Sequence, residues 1–235
     1  MKKMILATTA VFAMCTASLG SCTQCGNANA AADVAMDTTC NPDSDVIVIA
    51  GHRFVDLALP SGVLWAETNV GASAPADSGY YYSFGETSPK PDYSWDNYKW
   101  GDNAKGLTKY NATDHKEALD SIDDVAAVKW GSGCRMPSKA ELDELVAQCN
   151  WTWANGGFKV VSKTNGRSIF LPAAGYYDDA VLCRQGASGL CWSSTVATDG
   201  RAETMMYDCG GSGIDTHSVS RNTGLSVRPV HSPLQ

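Results

Sequence analysis

Cationic clusters, long apolar runs and metal-ligand spacings are all missing from this chain of 235 residues, and each absence removes a class of function. Charged residues make up 18% of it, below the roughly 25% of an average soluble domain. The 18 Lys+Arg are outnumbered by 25 Asp+Glu, for a net charge of -7. Nucleic acid is thereby excluded as a partner, because phosphate binding needs clustered Lys and Arg. No apolar run reaches the ~18 residues of a spanning helix. Histidine occurs only at His52, His115, His217 and His231, never at i, i+4 and never beside a carboxylate motif. No spacing therefore supports a metal site. The glycine patterns of phosphate and dinucleotide loops are absent, as is the G-x-S-x-G elbow, and Gly210-Gly211-Ser212-Gly213 reads as a turn. No cofactor motif and no catalytic set emerges. The one hydrolase-like hint is a carboxylate pair beside aromatics, Glu67 and Glu86. What is present is a globular composition: 44% hydrophobic, with all seven Trp between Trp65 and Trp192. That profile excludes a disordered chain, a coiled coil and a collagen-like repeat.

The N-terminus reads as an export address. Lys2 and Lys3 precede an apolar stretch from Met4 to Met14, too short to span and correctly flanked for secretion. Leu19-Gly20-Ser21-Cys22 resembles the lipobox of bacterial lipoproteins. The resemblance implies a signal peptide over residues 1–21 and lipidation of Cys22. Cys15 is the poorer candidate because bulky Met14 precedes it. Loss of Lys2 and Lys3 takes the net charge from -7 to -9. Two or three acyl chains on Cys22 anchor stably where a single one binds only marginally. The expected location is therefore an exported, membrane-anchored lipoprotein, in the outer membrane, with its facing side left open. Residues 22–45 read as a flexible tether without an aromatic, Lys or Arg. Such a segment buries too little apolar surface to offset its ordering entropy. Asp37-Thr38-Thr39 within it resembles a short O-glycosylation sequon.

Residues 46–231 read as one folded domain. Val46 to Ile49 and His52 to Leu57 are extended, and Leu59-Pro60-Ser61-Gly62 is a turn. Val63 to Val70 and Tyr80 to Phe84 are aromatic or β-branched and read as extended, while Tyr93 to Tyr110 reads as a long ordered loop. Asp123 and Asp124 precede a short helix, Val125 to Trp130, that Gly131 ends. A second helix starts at Ser138, where Ser138-x-x-Glu141 is a capping box and Leu142, Leu145, Val146 and Cys149 share a face. Short strands follow at Phe158 to Ser162, Ser168 to Leu171, Trp192 to Thr195, Glu203 to Asp208 and Leu225 to Pro229. Two helices among many short strands predict an α+β fold with small antiparallel sheets and long ordered loops. Export makes disulfides possible. Cys183 and Cys191, enclosing a Gly-containing loop, form the most plausible bridge, Cys149 reads as a buried hydrophobe, and Cys25 and Cys40 sit together in the tether. Tyr80-Tyr81-Tyr82, Trp95, Tyr98 and Trp100 suit either sugar stacking or core and loop packing, and packing carries the greater weight.

A set of motifs then appears in order. Val55-Asp56-Leu57, Leu59-Pro60-Ser61-Gly62, Trp65-Ala66 and Asn69-Val70-Gly71-Ala72 open it. Phe84-Gly85-Glu86, Arg135-Met136-Pro137-Ser138, Trp151-Thr152-Trp153 and Ser168-Ile169-Phe170-Leu171-Pro172-Ala173-Ala174-Gly175-Tyr176 follow. Trp192-Ser193-Ser194-Thr195 and Ser226-Val227-Arg228-Pro229-Val230 close it. Together, over residues 52 to 231, they resemble the Fibrobacter succinogenes major paralogous domain, common in Bacteroidetes lipoproteins. The resemblance implies a C-type-lectin-like fold related to that of the formylglycine-generating enzyme. The reactive cysteine segment of that enzyme has no counterpart, nor do the Glu-Pro-Asn, Gln-Pro-Asp or Trp-Asn-Asp signatures of calcium-dependent lectins.

Departures from the family pattern mark one face. Leu190 and Cys191 replace the usual aromatics before Trp192, and alternation places Met205 and Tyr207 inward and Thr204, Met206 and Asp208 outward. With His217, Asn222 and Thr223, these outward or departing positions form the expected ligand-binding set: Leu190, Cys191, Thr204, Met206, Asp208, His217, Asn222 and Thr223. The pattern is similar to variable lipoproteins diversified by adenine-mutating retroelements, although Met206 and Glu203 are unreachable from an Asn codon that way. Ordinary drift among paralogues on an exposed surface explains it too. The expectation is a non-catalytic binding module for a protein or glycan. A structural or scaffolding envelope lipoprotein is the alternative, and a glycan-active hydrolase or modifying enzyme comes last.

Overall fold

Two-residue left-handed turns set the first hairpins. In the computed structural model, which describes residues 46–131, 133–209 and 213–232, β1 (Val46–Ile49) returns as β2 (His52–Asp56) through Ala50 and Gly51, both at positive φ. Such turns match the right-handed strand twist. The signal segment, Cys22, Cys25, Cys40, the tether and residues 210–212 of the Gly-rich turn lie outside the described residues. β3 (Leu64–Ala66) continues the sheet, and β4 (Cys134–Arg135) closes its far edge. Among the described residues no helix is long and apolar enough to cross a membrane.

The two expected helices form where the caps dictate. α1 (Val125–Trp130) is capped by Asp124, which accepts from Ala126 N at 2.9 Å and Ala127 N at 3.1 Å, and also from Met136 N at 2.8 Å. Asp123 does not cap; it accepts from Lys109 and Tyr110 instead. α2 (Lys139–Gln148) carries the full capping box, with Glu141 N donating to Ser138 Oγ at 3.3 Å and Ser138 N donating to Glu141 Oε2 at 2.7 Å. Cys149 is not in the helix: it turns extended and begins β5 (Cys149–Ala154), where it is still buried.

Asn155 and Gly156, again both left-handed, join β5 to β6 (Gly157–Ser162), which pairs with β7 (Ser168–Pro172). β8 (Tyr176–Asp178) and β9 (Val181–Cys183) make a short hairpin of their own. β10 (Ser188–Val196), β11 (Arg201–Asp208) and β12 (Ile214–Ser220) form the longest antiparallel sheet, and α2 packs against it. β13 (Val230–His231) finishes the first sheet, whose order is β1-β2-β3-β13-β4. Among the described residues every strand-to-strand ladder is antiparallel, and parallel pairing is confined to isolated bridges at Gly175–Gly189 and Cys191–Ser226. The architecture is α+β, rich in small antiparallel sheets.

Two expected strands are mostly something else. Of Val63 to Val70 only Leu64–Ala66 joins a ladder, and Leu225 to Pro229 makes only isolated bridges, at Leu225 and Ser226. Residues 225–229 instead lend carbonyls to neighbouring loops: Leu225 to Tyr82, Val227 to Val70 and Pro229 to Ala66. Proline has no N–H to give a ladder, which favours this use.

The hydrophobic core has two clusters. The first gathers Val55, Trp65, Leu142, Leu145, Val160, Leu171, Cys191, Met205 and Tyr207; the second gathers Phe54, Ala66, Phe84, Trp130, Leu190, Trp192, Ala202 and Val227. Alternate residues of β10 and β11 thus enter opposite clusters. The central sheet lies between two cores and is buried on both faces over part of its length, so neither face is simply outward.

Candidate functional site

The face carrying Ser188, Leu190 and Trp192 on β10 aligns in register with Asp208, Met206 and Thr204 on β11. Thr204 in turn opposes His217, and Ala202 opposes Val219, on β12. Along this one face the surroundings change. At the end with Trp192 and Ala202 the second hydrophobic cluster covers it. At the other end Leu190, Met206, Asp208 and His217 border a cavity of about 370 Å³, completed by Tyr176, Asp178, Arg184, Ser188, Val219 and Thr223.

The hairpin β8–β9 makes the opposite wall. Gly175 N donates to Ser188 O at 2.7 Å, and Tyr177 and Gly224 exchange two backbone bonds at 2.8 and 3.0 Å. These bonds hold Tyr176 and Asp178 beside the sheet. Arg184 follows β9 at φ 55°, a left-handed conformation, and its carbonyl accepts from Ala187 and Ser188 N, both at 3.0 Å. Its guanidinium pairs with Asp208 and donates from Nε to Ser188 Oγ at 3.2 Å. The Asp208 side chain is only 5% exposed while that of Arg184 is 53% exposed, so a half-open cation sits on a buried carboxylate.

Five of the eight expected ligand positions, Leu190, Met206, Asp208, His217 and Thr223, therefore meet at one cavity. The other three are corrections. Cys191 points into the first cluster, wholly buried, its thiol beside the Tyr207 hydroxyl at 3.7 Å. Thr204 shares the predicted face but is wholly buried, its hydroxyl donating to Cys191 O at 2.7 Å. Asn222 is buried, donating to Tyr93 O and accepting from Ser220 Oγ, both at 2.7 Å. All three have structural partners in place of ligand access. The Cys183–Cys191 bridge is also corrected: both thiols are free, one in the core and the other on the hairpin paired across from Tyr176.

Sequence reasoning missed Ser188 and Val219, which lie on the sheet itself, and Tyr176, Asp178 and Arg184, which only docking of the hairpin brings to it. The aromatic segment mostly packs: Tyr82, Tyr93 and Tyr98 are buried, and Trp100 Nε1 donates to Gly85 O at 3.0 Å. Glu67 pairs with Arg53 at 2.6 Å, and Glu86 is buried against Lys90 at 2.9 Å. Each carboxylate of the hydrolase-like pair thus has its own cation. Among the described residues no three His, Cys, Asp or Glu are grouped to hold a metal ion.

Burial pushes the His217 imidazole below the usual histidine value of 6.5; Arg201 acts in the same direction, while Asp215 and Glu203 oppose it. A folded value below the unfolded one means that the fold resists protonation. The resulting stability is complete above pH ~6.5 and declines as pH falls beneath it. We expect the unfolding midpoint of the wild type to drop more between pH 7.5 and 5 than that of His217→Gln. An imidazole NMR titration centred above 6.5 would show that the two carboxylates outweigh burial.

No family model, curated protein or solved structure matches the chain.

Proposed function

We propose that this chain is a non-catalytic, membrane-anchored binding lipoprotein whose C-type-lectin-like domain presents the cavity between β8–β9 and β10–β12 to a protein or glycan. The observation that carries the reading is convergence: five residues chosen from sequence departures line the same hollow. Its volume, about 370 Å³, lies in the ~300–1,000 Å³ range of ligand sites, and its lining mixes apolar side chains with a few polar groups as such sites do. The lipobox-like Leu19-Gly20-Ser21-Cys22 supports anchoring at an outer membrane.

Protein and glycan arrays probed with the mature chain test the reading. Wild type is expected to retain a ligand that His217→Ala and Met206→Arg each bind at least ~10-fold more weakly, a loss of about 1.4 kcal/mol. His217 is only partly buried, so that variant is expected to fold normally. Array signals indifferent to both substitutions would refute the site.

A further inference from the structure

Building on the binding reading, we infer that the cavity takes a hydroxyl-rich ring, a neutral sugar unit held without a metal ion, and that Arg184 sets this specificity. The argument begins with the polar groups. An exposed acceptor (Asp178), a half-exposed multiple donor (Arg184) whose charge buried Asp208 balances, the His217 imidazole and the Thr223 hydroxyl border the same small space. An ammonium ligand brings donors only and would meet the Arg184 guanidinium without an acceptor to offer it. A carboxylate or phosphate brings acceptors only and would face the exposed Asp178 carboxylate, with the Arg184 charge already balanced by Asp208. A hydroxyl both donates and accepts, so a ring with several of them answers every group on the wall.

The apolar side of the lining fits the same class. Tyr176, Met206 and Val219, each partly exposed, offer carbon surface in the same lining. A pyranose has C–H faces and hydroxyl edges, and an aromatic side chain joins an apolar body to a polar tip in the same way. Shape points in the same direction. A protein partner buries roughly 800 Å² on each side across a broad surface, whereas this site is a hollow of about 370 Å³.

Arg184 is held as a positioned donor. Asp208, itself buried, fixes one Nη, and Ser188 fixes Nε. The rest of the guanidinium is half-exposed at the cavity. A non-glycine residue in the left-handed region is strained, and such conformations persist where the surrounding structure over-determines them, often at binding sites. Two of these residues, Asp179 at φ 49° and Arg184 at φ 55°, sit on the hairpin that forms this wall. A lysine at position 184 would keep the charge but lose the planar fork.

The mature chain, titrated by NMR with methyl glycosides of a neutral hexose, a hexosamine and a hexuronic acid, tests the inference. The neutral glycoside is expected to bind best, at least ~10-fold tighter than the hexuronate, and to bind equally with and without EDTA. Asp178→Asn and Arg184→Lys are each expected to weaken it ~10-fold, with unchanged unfolding midpoints. Loss of binding in EDTA, a preference for either charged sugar, or indifference to both substitutions would overturn it. A protein from the array, bound through His217 and Met206 while every glycoside stays silent, would sink the sugar class and leave the binding function standing. Silence on both arrays and in every titration would sink the two together.

Discussion

Arg228→Ala is expected to destabilise the fold by about 3–5 kcal/mol, a large share of the ~5–15 kcal/mol that holds a typical domain together. Arg228 is wholly buried in the described residues and has no carboxylate partner among its hydrogen bonds. It donates to Asn69 Oδ1 at 2.8 Å, Ala66 O at 2.9 Å, Glu67 O at 2.8 Å and Phe170 O at 2.9 Å. One side chain therefore ties the segment before β13 to the end of β3, the loop after it and β7. Burial alone lowers its pKa from the usual arginine value, which records the desolvation cost of placing the cation there. The carbonyl dipoles offset that cost. Alanine would deprive the buried acceptors Asn69 Oδ1 and Ala66 O of this donor and leave a void, and each unpaired group costs about 1–3 kcal/mol. Urea unfolding should show a lower midpoint with an unchanged slope. Arg228→Met keeps most of the stem and separates packing from hydrogen bonding. If the methionine variant is as stable as wild type, the guanidinium is not what joins these elements.

Gly175→Ala is expected to cost about 2–5 kcal/mol, the sum of left-handed strain and overpacking. Gly175 has φ 68°, and a Cβ there would strike the Cys183 carbonyl oxygen and lie 2.7 Å from Gln185 N. Both obstacles are backbone atoms and cannot rotate away. Relief would require β8 and β9 to part or the hairpin to lift from Ser188. Because that hairpin carries Tyr176 and Asp178 and leads into Arg184, the cavity should suffer before the core does. Hydrogen exchange is expected to accelerate first at Tyr177 and Gly224, whose mutual backbone bonds dock the hairpin. Uniform acceleration across β10–β12 instead would mean that the hairpin and the sheet open as one unit.

What could be read beforehand was local. Asp124 and the Ser138–Glu141 box act within one turn of their helices, so α1 and α2 lie where their caps predict. β11 encloses the expected Glu203–Asp208 because Met205 and Tyr207 alternate with their neighbours. Asn155-Gly156, which joins β5 to β6, is likewise a local hairpin signal. β12 was not legible, since Ile214–Ser220 is mostly polar and intrinsic strand preference there is weak. It becomes a strand because β11 offers it a ladder.

The sequence alone determined the helix starts, the acidic charge and which residues of β11 share a face. Only the tertiary structure decided which of the expected ligand positions border the hollow. Alternation separates two faces of a strand but does not say which one meets solvent, and here both are packed for part of their length. Whether a side chain such as Thr204 is sealed or one such as Met206 borders a hollow depends on where a hairpin from another part of the chain comes to rest. That is a matter of long-range packing, and no short window of residues contains it.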